Sequence, residues 1–308
     1  MLRRGLFLTA VSLICSLFLP HADAQDFRRA LYRFMPVMRF DSNERFFPIR
    51  AKSITDNPGN KLERENGAFL AERNADGSGL NLGYLVGIPP IDTGVYPHII
   101  QAVLETDRLN ESGNTVSEAH DVADRFQSSS AYRDRIYGHV IPRTVDGTLK
   151  GAWLQYWFFY YYNDFPAEFN LGDHEGDWEM IQVFVNTDLE PQVAVYAQHD
   201  SNSFCPWDKV RKLQGRPLVF VAKGSHASYF TPGQHDFGPI GILADVTDGQ
   251  VARSIKVIRV GTKRPRWINW PGKWGASGSS PKGPSQHHGQ WDEPQQFYEN
   301  AGLDGDCK

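Results

Sequence analysis

The sequence predicts a mainly β protein, an antiparallel β-sandwich with long aromatic-pinned loops and one or two peripheral helices. Three observations lead to it. Stretches rich in β-branched and aromatic residues recur through the second half of the chain, and turn residues such as Asn163-Asp164, Asn186-Thr187-Asp188 and Gly215 separate most of them. The gaps between them are mostly too short for a crossover helix, which favours antiparallel neighbours over a parallel α/β sheet. Only one stretch carries a clear helical period.

Taken in order, the first 24 residues stand apart from the fold. Arg3 and Arg4 precede an apolar run from Leu6 to Leu19, and Ala22-Asp23-Ala24 supplies an A-x-A cleavage signal, so a signal peptide over 1–24 is expected, with one domain over 25–308. The apolar core is short and ends at Pro20, and nothing later approaches a spanning length, so no transmembrane segment is expected after its removal. The chain reads as secreted or periplasmic. Between 117 and 127, Ala119, Val122, Ala123 and Phe126 follow helical spacing, and Thr115 with Glu118 resembles a capping box. Strands are expected over 153–162, 177–185, 192–199, 217–222 and 254–260. Segment 270–294 is dense in Gly, Ser and Pro and belongs to a region holding four tryptophans, Trp267, Trp270, Trp274 and Trp291. It reads as an ordered coil pinned by its aromatics, with disorder over 275–283 as the alternative.

Charge and cysteines narrow the function. The formal charge is −4, and loss of Arg3, Arg4 and Asp23 makes the mature chain more negative, which speaks against a nucleic-acid partner. The one basic cluster, Lys263, Arg264 and Arg266, is short enough to be an ordinary solvated face. Cys205 and Cys307 remain after cleavage, so one disulfide is available in an oxidising compartment, although two free thiols satisfy the sequence equally.

The chemistry concentrates in Asp173-His174-Glu175-Gly176-Asp177-Trp178-Glu179, directly before the apolar run 180–185. On a strand, side chains alternate, so Asp177, Glu179, Ile181, Val183 and Val185 share one face. Asp177 and Glu179 then start roughly 6.6 Å apart, able to converge on one cation with His174 reaching in from the preceding loop. Trp178, on the opposite face, would pin the strand. The plain alternative is a solvated acidic turn. Asp164, Asp173 and His226 are further candidate ligands, the last in Gly224-Ser225-His226-Ala227-Ser228-Tyr229 after a strand; His199 also closes a strand, and each histidine taken alone reads first as a hydrogen-bonded structural residue. His287-His288 reads as solvent-facing. A set dominated by carboxylate favours calcium or magnesium over zinc. No phosphate-binding Gly-rich loop or G-x-S-x-G elbow is present.

Several phrases resemble the family named after vacuolar protein sorting-associated protein 62: Pro36-Val37-Met38-Arg39-Phe40-Asp41-Ser42 with Glu44-Arg45-Phe46-Phe47-Pro48, Trp153-Leu154-Gln155-Tyr156-Trp157 through Asn163-Asp164, His174-Glu175-Gly176-Asp177-Trp178-Glu179, Gly224-Ser225-His226-Ala227-Ser228-Tyr229, and Trp274-Gly275 with Gly283-Pro284. A more distant resemblance, confined to the motif and its strand, is to the necrosis- and ethylene-inducing peptide-like toxins, whose signature reads Gly-His-Arg-His-Asp-Trp-Glu. His174, Asp177, Trp178 and Glu179 fall on its first His and its Asp-Trp-Glu, while Glu175 and Gly176 depart from it. That resemblance implies a divalent cation held by His174, Asp177 and Glu179 at the rim of a β-sandwich, and docking on a sugar or lipid headgroup.

Two functions follow as expectations. One is an exported cation-binding module that recognises a glycan or lipid headgroup. The other is a metal-assisted hydrolase of a phosphate or glycan ester, with His226 or Glu175 moving protons. A purely structural cation is the third possibility.

Overall fold

In a computed structural model the chain is described over residues 24–58, 60–64, 69–86, 91–92, 99–100, 102–105, 115–165, 173–199, 201–237, 243–275, 280–301 and 307. The expected signal peptide therefore lies outside the described residues, apart from Ala24. Among the described residues no helix is long and apolar enough to cross a membrane.

Helix α1 (Ala24–Arg33) leads into strand β1 (Val37–Phe40), and helix α2 (Thr115–Ser128) precedes the main sheet. That sheet takes β2 (Arg135–Val145), β3 (Thr148–Asn163), β4 (His174–Asn186), β5 (Pro191–Gln198) and β6 (Ser201–Pro206) in a meander, each antiparallel to the next. A second sheet joins β7 (Lys212–Leu213), β8 (Arg216–Val221), β1 and the short strand β9 (Ser228–Tyr229). The hairpin of β10 (Gly233–Phe237) and β11 (Leu243–Thr247) follows, then β12 (Val251–Arg253) on the second sheet and β13 (Lys256–Arg259) on the first. Helix α3 (Pro294–Glu299) comes near the C-terminus.

The expected strands are present, but the pairing is mixed. β13 runs parallel to β2, and β1 parallel to β8. Both are joined to their partners through long intervening stretches of chain, which free the return path that parallel pairing needs. Strands β2 and β6 were not singled out in the sequence: β2 carries Gly138, His139 and Pro142, and β6 carries Ser201, Asn202 and Ser203, which dilute the β signal.

Burial follows the two-residue period. Leu154, Tyr156, Phe158 and Tyr160 of β3, with Ile181, Val183 and Val185 of β4, face Met38, Phe40, Val219 and Val221 of the second sheet, forming the sandwich core. The alternate residues, Trp157, Phe159, Tyr161, Trp178 and Met180, pack on the other side against α2 and a C-terminal coil carrying Trp267, Trp270, Trp274 and Trp291. Strand β3 is thus buried on both faces, which is why its sequence reads as a continuous apolar run. The coil is ordered as predicted on both flanks of residues 276–279, which lie outside the described residues. Helix α2 matches the predicted helix, with Ala119, Ala123 and Phe126 facing this layer.

Cys205 of β6 and Cys307 form a disulfide across 102 residues. Closing so long a loop limits the unfolded chain, so reduction should cost about 2–4 kcal/mol. The expected readout is a lower urea midpoint for the reduced protein. Equal midpoints would show that the bond carries no stability.

Candidate functional site

The site is built where the start of β4 meets the loop between β8 and β9. Asp177 stands opposite Tyr160 and Glu179 opposite Phe158, so both carboxylates lie on the sandwich side of β4, while Trp178 packs against Phe159, Tyr137 and Trp274 on the other. The loop folds tightly: Ala222 and Ala227 pair through the Ala222 N–H, and Gly224 and His226 adopt positive φ of 75° and 58°. Left-handed backbone is costly for a residue with a β-carbon, so His226 is held there by its surroundings.

Those surroundings are specific. The His226 ring stacks flat on Tyr160, centroids 3.8 Å apart and planes 3° from parallel. Its Nδ1 lies 2.8 Å from Asp177 Oδ2, and its Nε2 faces Glu44 Oε1 at 3.7 Å. Glu44 accepts hydrogen bonds from the N–H groups of Arg45 and Phe46 on Oε1 and from Gly224 N–H on Oε2. All three side chains are buried. Burial opposes the imidazolium, but Glu44 and Asp177 outweigh it and raise His226 to about 9. Burial likewise opposes the Glu44 carboxylate, and His226 with the Gly224 and Phe46 amides leaves it below its ordinary value. The result is a buried imidazolium between two carboxylates.

Asp245 of β11 closes the other side. It accepts hydrogen bonds from Ser225 Oγ at 2.5 Å and Tyr229 Oη at 2.6 Å, and lies 2.8 Å from His199 Nε2. Glu179, within electrostatic reach of Asp177 and Asp245, is half-buried and forms no hydrogen bond or ion pair among the described residues. Burial, then Asp177 and Asp245, push its carboxyl well above the usual range. The Tyr160 hydroxyl, fully buried and electrostatically coupled to Asp177, Glu179 and Glu44, has no hydrogen-bond partner there.

The predicted residues therefore sort into two groups. Asp177, Glu179 and His226 come together, joined by Glu44 and Asp245. Asp164 touches the His226 loop through its backbone, its N–H donating to the Gly224 carbonyl at 3.1 Å, but its side chain stands 3.9 Å from His120 and, with Asp173, acts on Tyr162; there burial and Asp164 raise Asp173 to about 6. His174 is the first residue of β4 rather than a loop residue, three positions and about 10 Å along the strand from Asp177, with Nδ1 near the Glu175 carbonyl. Glu175 is buried against Gly275, whose added β-carbon would meet it at 2.8 Å. Among the described residues no three His, Cys, Asp or Glu side chains stand in an arrangement that could hold a metal ion. Sequence reasoning missed Glu44 and Asp245. Glu44 sits within one of the phrases that carry the family resemblance; Asp245 has no local signal in Leu243–Thr247.

No family model matches the chain. In sequence it is similar to vacuolar protein sorting-associated protein 62 of Saccharomyces cerevisiae, 25% identical over 193 aligned residues that cover 48% of this chain and 41% of that protein. Solved structures similar to it include necrosis and ethylene inducing protein 2 from the causal agent of cocoa's witches' broom disease (TM-score 0.42, 12% identity, 89% of this chain and 92% of that one). Another is described as a toxin fold for microbial attack and plant defense (TM-score 0.36, 11% identity, 78% and 77%). The chain thus spans less than half the length of the curated relative it matches.

Proposed function

We propose that the chain is an exported protein that holds a divalent cation, calcium or magnesium, through Asp177 and Glu179 and uses it to recognise an oxygen-rich sugar or lipid headgroup. The observation that carries this reading is Glu179: a half-buried carboxyl with no hydrogen bond or ion pair among the described residues, close enough to feel the charges of Asp177 and Asp245 and to act on the Tyr160 hydroxyl, which has no hydrogen-bond partner. Like charges in that position need either a proton or a cation. The donors are hard oxygens, which suits calcium and magnesium. Two protein carboxylates leave the remaining coordination positions to water and to hydroxyl or phosphate oxygens of a ligand, a division typical of magnesium. Such an ion would supply a fixed positive charge for those oxygens, while the Glu44–His226–Asp177 clamp keeps Asp177 from turning away. Export is supported by the leader-like N-terminus and the Cys205–Cys307 bond. The hydrolase reading has less support, because His226 and Glu175, its proton carriers, are both buried.

Glu179→Gln tests the reading without disturbing a hydrogen bond. Without added metal the variant should melt slightly higher than wild type, since the amide needs neither a proton nor a counter-ion there. Saturating calcium or magnesium should raise the wild-type melting temperature by roughly 5 °C and leave the variant unmoved. Equal rises in both would refute the site. An array of glycans and lipids, probed with and without chelator, then assigns the headgroup.

A further inference from the structure

The basic cluster Lys263, Arg264 and Arg266, which reads in sequence as one solvated face, divides in the fold. Lys263 and Arg266 line a recess beside Leu85 and Trp270. Arg264 instead lines a separate cleft of about 380 Å³, whose walls also carry Arg28 of α1 and Arg259 of β13. These guanidinium groups come from opposite ends of the chain: Arg28 from α1, Arg259 from the end of β13 and Arg264 from the turn that follows it. All three residues are exposed, and no acidic side chain lines the cleft. The acid nearest in sequence, Asp26, lies on α1 and is paired with Arg29. Among the described residues none of the three arginines has an ion-pair partner. In a chain of net charge −4, three unpaired arginines around one concavity are a local reversal of sign.

We propose that this cleft binds a phosphomonoester, carried either by a small soluble molecule or by a lipid headgroup. A guanidinium presents its N–H donors as a planar fork that matches phosphate oxygens two at a time. A dianion with three terminal oxygens can engage several forks at once, whereas a carboxylate offers one charge and two oxygens. Thr262 adds a hydroxyl, placed 3.3 Å from His139 Nε2. Val140 and Pro265 supply an apolar wall for the organic part. The volume lies at the lower end for small-molecule sites, which suits a phosphate on a short stem. The acidity of the remaining surface disfavours an extended polyanion.

The proposal is independent of the cation site, and its test uses the whole mature chain. Titration calorimetry with glycerol 3-phosphate and with inorganic phosphate, at physiological ionic strength, covers the soluble source. Flotation with phosphatidylcholine vesicles carrying phosphatidic acid covers the lipid source. Wild type should bind at least one probe saturably. The double variant Arg259→Gln/Arg264→Gln should weaken that binding about tenfold or more, while Lys263→Gln/Arg266→Gln, which removes the same charge from the neighbouring recess, should stay within about twofold. Binding to glycerol 3-phosphate assigns a soluble ligand, and binding to vesicles alone assigns a headgroup. No saturable binding to any probe, or equal weakening by both doubles, overturns the proposal. All four positions are exposed, so matched melting temperatures check that folding is intact.

Discussion

Replacing His226 by alanine should destabilise the protein by about 3–5 kcal/mol, the cost of removing one partner from a buried ion pair and stranding the other. Here two carboxylates, Glu44 and Asp177, would be stranded. The flat face of Tyr160 would also lose its stacking partner. Urea denaturation measures the loss, and its pH dependence identifies the cause. In the unfolded chain a histidine titrates near 6.5, whereas folding raises His226 to about 9. Below about pH 6.5 both states hold the proton and the contribution is complete. Between 6.5 and 9 the unfolded state releases its proton while the native state keeps it, so stability falls as pH rises, by on the order of 3 kcal/mol across the window. Glu44 acts in the opposite sense: its contribution is present above the ordinary glutamate range and is lost as pH falls through its lowered native value. His226→Ala should be less stable at neutral pH and should lack the alkaline decline. A variant with the same alkaline slope as wild type would show that the imidazole is neutral in the native state.

The second large effect is expected at Trp274. This residue is fully buried at the centre of an aromatic group in which Phe159, Trp178, Trp267 and Trp270 all approach within 5.4–5.7 Å, centroid to centroid. Truncating such a side chain leaves a cavity that a coil cannot easily close, so Trp274→Ala should lose about 3–5 kcal/mol. The same coil fits β4 by backbone: a β-carbon on Gly176, which has φ of 56°, would come 2.0 Å from the Trp274 carbonyl oxygen. Loss of near-ultraviolet circular dichroism should accompany the destabilisation, because several tryptophans share this environment. A loss below about 1 kcal/mol would mean the coil is held by its backbone contacts alone.

The two positions differ in how far the sequence discloses them. Trp274 belongs to a run of spaced tryptophans in a Gly- and Pro-rich segment, and that pattern suffices to predict an ordered coil pinned by aromatics. Strands β3 and β4 are equally legible, β3 as a near-continuous aromatic run and β4 by its period-two alternation, because both patterns and the turn residues beside them are local signals. The alternation also places Asp177 and Glu179 on one face and Trp178 on the other. His226 was visible only as a candidate for the cluster, and its role as a clamp was not. Its partner Glu44 is supplied from before the main sheet, through a loop whose backbone amides hold the carboxylate, and no spacing rule connects residue 44 with residue 226. Asp245 arrives by a hairpin appended to neither principal sheet. Parallel pairing of β13 with β2 and of β1 with β8 was hidden for the same reason: it depends on long-range topology.

The disulfide also bears on how the main sheet ends. Strand β6 is its last strand on one side, and there the Asn202 amide donates to the Phe297 carbonyl, Phe204 meets Tyr298 edge-on, and Cys205 is bolted to Cys307. The opposite margin, β13, carries exposed Lys256 and Arg259. An uncovered strand margin recruits further strands, and a docked helix or a row of charges deters them. The tail of this chain thus acts as a selvedge, finishing the woven sheet so that neighbouring molecules have no loose thread to extend.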